Sequence, residues 1–163
     1  MVASGGLVVL PSWTREWTAS DLTAHPSSFL FAEQDTLAAV VDTIIPAGNA
    51  IGALSVGVDK FLQKLIDKCY EKDVQENIKL QLGHLDTMAQ AAHGKPFAQG
   101  DQVQRQELLL KLASSENKAE KDFFNLMKAE TIRGFNTSKE VMKGYLNFKL
   151  VPGHYYGCMD VKA

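Results

Sequence analysis

The side chains able to do chemistry are few and badly spaced for it. The four histidines are His25, His84, His93 and His154, and the two cysteines are Cys69 and Cys158. His84 and His93 stand nine positions apart, not the four that would stack both on one helical face around a metal ion. His154 and Cys158 do have that spacing of four, yet a tetrahedral site needs two further ligands and none lies nearby. No glycine-rich strand-to-helix turn is present to cradle phosphate, and nothing resembles the sharp turn that presents a catalytic serine. Glu71, Asp73 and Glu76 read most simply as charges matched to a helix start. No catalytic, cofactor-binding or metal-binding residue is therefore assigned, and the residues describe a module without an active site of its own.

Composition narrows the class further. The chain has 163 residues, 45% of them hydrophobic and 22% charged, with 17 basic against 19 acidic side chains. That balance offers no field for nucleic acid or an anionic membrane. The charge is too low and the apolar content too high for a disordered chain. Two cysteines rule out a multi-bridge secreted scaffold and a four-thiolate zinc site.

The elements that would position these residues are helices. Leu37, Val40, Val41, Ile44 and Ile45 keep a helical period until Pro46 stops it. After a loop with Gly48, Asn49 and Gly52, Ser55 is the expected N-cap of a second helix, whose stripe is Val58, Phe61, Leu62, Leu65, Ile66 and Cys69. Asp73 with Glu76 predicts a capping box for a third, carrying Val74, Ile78, Leu82, Leu85, Ala89 and Ala92 and closed by Gly94 and Pro96. Asp101 with Gln104 opens a fourth, with Val103, Leu108, Leu109 and Leu112. A fifth spans 118–133, with Phe123, Leu126 and Met127 inward and Gly134 as its stop. Thr137 with Glu140 caps a sixth, holding Val141, Tyr145, Leu146 and Phe148. Six helices would cover about 60% of the chain, well above the usual one-third. The expected fold is all-α, a compact bundle of about six helices, with an N-terminal arm over 1–31 and a helical domain over 32–163.

The arm has its own character. Residues 1–10 form a short apolar run ended by Pro11, too short to span a bilayer, which takes about 20 residues. The run has the length of the apolar part of a signal peptide but lacks the basic part before it. A precursor that starts further upstream is the expectation; a frayed tail is the alternative. Trp13, Trp17, Phe29 and Phe31 then crowd an irregular stretch, and such aromatics must be covered by the domain itself or by a partner. In an oxidising compartment Cys69 and Cys158 would form one intrachain bridge pinning the C-terminal tail to the body. Two reduced thiols and an intermolecular bridge are the other readings.

Taken in order, several segments resemble one family. They are Asp42-Thr43-Ile44-Ile45-Pro46, then Gly52-Ala53-Leu54 with Gly57-Val58 and Phe61, then Leu85-Asp86 with Gly94 and Phe97. Gly134-Phe135-Asn136-Thr137-Ser138, Leu146-Asn147-Phe148 and the run from Val151 to Cys158 complete the set. From about Phe29 to Val161 the chain is similar to the gluconate 2-dehydrogenase subunit 3 family, the small subunit of periplasmic flavin-dependent sugar and sugar-acid dehydrogenases. It departs from the pattern at Phe31, where a serine cap is common, and at Phe135, where tyrosine is usual.

The resemblance implies a non-catalytic accessory subunit that assists maturation and export of a catalytic flavoprotein. It implies a twin-arginine signal, of which Gly5-Gly6-Leu7 looks like the end, and a periplasmic location, with membrane association left open. The implied partner is a flavoprotein of the glucose–methanol–choline oxidoreductase type holding FAD, with a cytochrome c subunit as a further component. No cofactor is expected in this chain. Trp13, Trp17, Phe29, Phe31, Tyr155 and Tyr156 are the expected interface anchors, since large aromatics often serve so; covering this domain's own core is the competing role for each. The alternative function is a stand-alone helical binding or scaffolding module of the periplasm.

Overall fold

The computed structural model of the chain describes residues 27–149, 151 and 153. Six α-helices run in order: α1 (Phe31–Ile44), α2 (Val58–Cys69), α3 (Lys72–His93), α4 (Gln102–Ser114), α5 (Lys118–Asn136) and α6 (Lys139–Gly144). Two 3₁₀ turns, Leu54–Val56 and Phe97–Gln99, join α1 to α2 and α3 to α4. No strand occurs among the described residues, so the all-α bundle expected from periodicity is the fold.

Helix α1 is the central post. It packs on α2, α3, α4, α5 and both 3₁₀ turns, which demands a helix buried on most of its circumference. Its sequence meets that demand with Leu37 and a set of small or β-branched side chains: Thr36, Ala39, Val40, Val41 and Thr43 are buried with it. The surrounding helices each contribute an apolar stripe to one core, with Leu62 and Ile66 from α2, Leu82 and Leu85 from α3, Leu108 and Leu112 from α4, and Phe123 and Met127 from α5. Burial of such side chains contributes roughly 1.5–3 kcal/mol each.

Local punctuation explains most helix ends. Gly94 closes α3 at φ 68°, its N–H donating to Gln90 O at 2.9 Å, a left-handed turn that suits glycine. Asp101 caps α4: its Oδ1 accepts from Gln104 N at 2.8 Å while Gln104 Oε1 accepts from Asp101 N at 3.3 Å.

Four expected boundaries differ. Ser55 lies inside a 3₁₀ turn, and α2 starts after Gly57, whose φ of 71° swings the chain into the helix. Asp73 and Glu76 make no capping box: α3 starts at Lys72 after Glu71, and the Asp73 carboxylate accepts from Val74 N instead. Gly134 does not stop α5, which continues to Asn136. That glycine is there for contact, because a Cβ at 134 would stand 2.8 Å from Phe61 Cδ1. Ser138 rather than Thr137 caps α6, since the Thr137 hydroxyl donates back to Arg133 O at 2.8 Å.

The apolar stripes also end earlier than their period suggests. Val103, Tyr145, Leu146 and Phe148 are exposed, as are Ala92 and Cys69. α6 stops at Gly144, so the residues after it lie on no helical face. Only Val141 of that set is buried.

The arm enters through a clasp on α2 and α3. Ser28 N and the Ser27 hydroxyl donate to Asp67 Oδ2 at 3.0 and 3.2 Å, and the Ser28 hydroxyl donates to Oδ1. Lys79 donates to Ser28 O at 2.9 Å and stands 5.3 Å above the Phe29 ring, a cation–π distance. Leu30, not Phe31, occupies the N-cap of α1, and its N–H donates to Glu33 Oε2 at 2.8 Å. The missing serine at Phe31 thus leaves that donor satisfied.

Candidate functional site

An open groove of about 440 Å³ runs along the outer side of α1. Ala32, Asp35, Ala38, Ala39 and Asp42 line its floor, with Leu54 and Ala98, one from each 3₁₀ turn, among its walls. The period of α1 places small residues and carboxylates together on this outward stripe, while Leu37, Val40 and Val41 point into the core.

Two long-range polar links hold the groove in shape. Arg105 of α4 donates through Nη2 to Asp42 Oδ2 at 2.9 Å and Gln102 Oε1 at 3.0 Å, and through Nη1 to Ala39 O at 3.3 Å. Gln102 donates in turn to Thr43 O at 3.1 Å. The second link is Asp86 of α3. Its carboxylate accepts from Thr36 Oγ1 at 3.1 Å and from Phe97 N at 3.0 Å. Phe97 is fully buried, so this contact seats the turn after Gly94 against α1 and α3. The Asp42–Pro46 and Leu85-Asp86…Phe97 segments thus each supply residues to the links that hold this corner.

A second polar cluster joins α2 to α5. Tyr70 OH donates to Glu130 Oε1 at 3.0 Å, and the Arg133 guanidinium touches Oε2 as an ion pair without hydrogen-bond alignment. Burial, then the hydrogen bond to Glu130, pushes the Tyr70 phenol above its usual value near 10.0. Neither Arg105 nor Glu130 was singled out by type or spacing, because each finds its partner only through the fold.

The histidines stay apart. His84 approaches Glu120 of α5, Nδ1 to Oε1 at 3.8 Å, and does not meet Asp86, which faces the opposite side toward Thr36. Among the described residues no group of three or more His, Cys, Asp or Glu side chains is placed to hold a metal ion. No helix among them is long and apolar enough to cross a membrane.

Of the expected interface anchors, Phe29 is 4% exposed and forms part of this domain's own core, which removes it from the set. Phe31, two residues on, is 87% exposed. Trp13, Trp17, Tyr155 and Tyr156 lie outside the described residues. Cys69 ends α2 with an exposed thiol that bonds no other described cysteine, and Cys158 lies outside the described residues.

Comparison with the curated proteins and with the solved structures finds no match to either. The family model described as gluconate 2-dehydrogenase subunit 3 does match, over residues 32–153. That span takes in the groove, both polar links and all six helices from the first turn of α1 onward. The chain belongs to the gluconate 2-dehydrogenase subunit 3 family.

Proposed function

We propose that this chain is a non-catalytic accessory subunit of a periplasmic flavin-dependent sugar or sugar-acid dehydrogenase, acting in maturation, export and stability of the catalytic flavoprotein. The observation that carries the reading is the family match across every described helix. FAD belongs to the partner, a flavoprotein of the glucose–methanol–choline oxidoreductase type, with a cytochrome c as a further component. Export follows a twin-arginine signal.

The partner-facing surface in this reading is aromatic. Phe31 is its described member, with Trp13, Trp17, Tyr155 and Tyr156 as further anchors; Tyr145, Leu146 and Phe148, in the segment after α6, are also exposed. A Cys69–Cys158 bridge would tie the tail to the end of α2. The test is affinity purification of the tagged full-length protein from its host, with a visible absorbance spectrum. A stoichiometric large partner with oxidised-flavin bands is expected. A colourless lone species under gentle extraction would overturn the reading in favour of a stand-alone module.

A further inference from the structure

We propose that a second groove, between the end of α1, α4 and α5, binds a single-chain alkyl carboxylate. Its tail lies on Ile44, Leu110 and Phe124 and its head at Gln106 and Lys128. The proposal does not rest on the accessory-subunit reading.

The groove holds about 370 Å³, within the range of about 300–1,000 Å³ that takes compact ligands. Its apolar walls are Ile44 and Pro46 from the end of α1, Leu109 and Leu110 from α4, and Phe124 from α5. Ile44 and Phe124 are half-buried and packed on the core, so the walls are held from beneath. Leu110 is 54% exposed, which leaves apolar surface that a hydrocarbon chain would take out of water.

The groove has a polar end and an apolar end. Only residues 115–117 separate α4 from α5, and the two pack on each other, as an antiparallel pair does. Leu110 lies one turn after Gln106, and Phe124 one turn before Lys128. In an antiparallel pair both steps run the same way along the groove. The amide and the ammonium therefore share one end, and the leucine and the ring share the other. A ligand matched to this surface is an amphiphile.

Charge selects its head group. Lys128 is the one charged residue that lines the groove. It is exposed and forms an ion pair with no described carboxylate. The other polar groups here are spent: the Thr43 hydroxyl donates to Ala39 O at 2.6 Å. Gln102 donates to Thr43 O and accepts from Arg105. Gln106 and Lys128 remain as donors, and a carboxylate takes one from each of its two oxygens. The groove on α1 has the opposite sign, with Asp35, Asp42 and Asp86 against Arg105, and would repel the same ligand. Attraction to an anionic bilayer takes a cluster of about four to eight basic residues, and this groove has one.

The experiment is amide NMR of the purified full chain, titrated with decanoate, decanol or decyltrimethylammonium, each below the concentration at which it forms micelles. Shifts should map to residues 43–46, 106–110 and 124–128. Decanoate should bind about two- to fivefold more tightly than decanol, the effect of one exposed ion pair, with decyltrimethylammonium weakest. Lys128→Glu should invert the order of decanoate and decyltrimethylammonium. Leu110→Gln should weaken all three by about three- to tenfold, because the tail loses its apolar wall. Circular dichroism should show both variants folded, since residues 110 and 128 are exposed, and the comparison of head groups on the wild type needs no variant. No shift with any probe, shifts elsewhere, equal affinity for the three heads, or an order unchanged in Lys128→Glu would each overturn the proposal. Shifts at these residues that grow with protein concentration without ligand would give the groove to a second copy. Tighter binding to phosphatidylglycerol vesicles than to decanoate would give it to a membrane surface; either result overturns the proposal.

Discussion

Arg105 and Asp42 meet at 2.9 Å across 63 residues of sequence, and their contact joins the C-terminal half of α1 to the first turn of α4. The arginine side chain is 13% exposed and the aspartate 26%, so the pair is half withdrawn from water. Removing one member leaves the other short of partners where water reaches poorly. Arg105→Ala should lower stability by about 2–3 kcal/mol, read by urea unfolding. Asp42→Asn, at the wetter end, should cost about 1 kcal/mol. A double-mutant cycle that shows no coupling would remove this pair from the forces holding the groove. Arg105→Lys should fall between, because one ammonium cannot reach Asp42, Gln102 and Ala39 O together.

The Asp86 link makes a sharper demand, since one of its donors is a main-chain N–H. Asp86→Ala would strand Phe97 N beside a fully buried ring and should cost about 2–3 kcal/mol. Asp86→Asn keeps one acceptor oxygen and should lose roughly half of that. Hydrogen exchange at Phe97 distinguishes the two: fast in the alanine variant, intermediate in the asparagine one. Unchanged protection in both would show that the turn is held by packing alone.

How far such links can be foreseen depends on sequence distance. The Asp101–Gln104 box and the Gly94–Pro96 stop were legible because all their partners lie within three or four residues. Asp73 and Glu76 carry the same pattern without its function. Tyr70 is extended at φ −97° and ψ 150°, so the helix is entered at Lys72 and Asp73 falls inside the first turn. Acidic residues are favoured there by the helix dipole as well as by capping, and one sequence does not separate the two causes. Period told which residues of α2 to α5 face inward, but it overran α6, whose stripe continues in sequence past the end of the helix at Gly144. Asp42–Arg105 and Asp86–Thr36 had no local signature, their partners being 63 and 50 residues away.

Two glycines should respond to very different degrees to the same substitution. A Cβ at Gly52 would stand 2.5 Å from Ala47 N and 2.9 Å from Pro46 C. Those are main-chain atoms that cannot swing aside. Gly52→Ala should therefore cost about 2 kcal/mol or more. At Gly134 the obstacles are side-chain atoms, Phe61 Cδ1 at 2.8 Å and Val58 Cγ1 at 3.2 Å, and the nearer belongs to a ring that is 39% exposed. The gain of about 1 kcal/mol from replacing a mid-helix glycine offsets that displacement. Gly134→Ala should be close to neutral in thermal unfolding, and a large loss there would mean that the Phe61 ring is fixed.

Tyr70 gives a pH signature in the alkaline range. Its phenol is raised by burial and by the hydrogen bond to Glu130, so the folded state prefers the protonated form more than the unfolded state does. That preference is fully present below the unfolded value near 10. It is lost as pH rises through the higher folded value. Stability should therefore decline above about pH 10, and Tyr70→Phe should flatten that decline while costing about 1 kcal/mol at neutral pH. An equal alkaline slope in the variant would place the titrating group elsewhere.

Phe29 and Phe31 stand two residues apart, but helix entry separates them into different environments. Phe29 precedes the N-cap at Leu30 and drops into the core under Lys79, whereas Phe31 is the first residue of α1 and points outward. Phe29→Ala should leave a cavity and cost about 3–4 kcal/mol. It should also loosen the Ser27–Asp67 clasp that shares its anchorage. Phe31→Ala should leave the unfolding midpoint unchanged, since so exposed a ring has little burial to lose. If the accessory-subunit reading holds, the same change should reduce the amount of flavoprotein recovered with the chain, as expected when an aromatic anchor is cut from an interface. Comparing the two variants in the pull-down separates loss of fold from loss of contact. Recovery unchanged in Phe31→Ala would take that ring out of the partner surface.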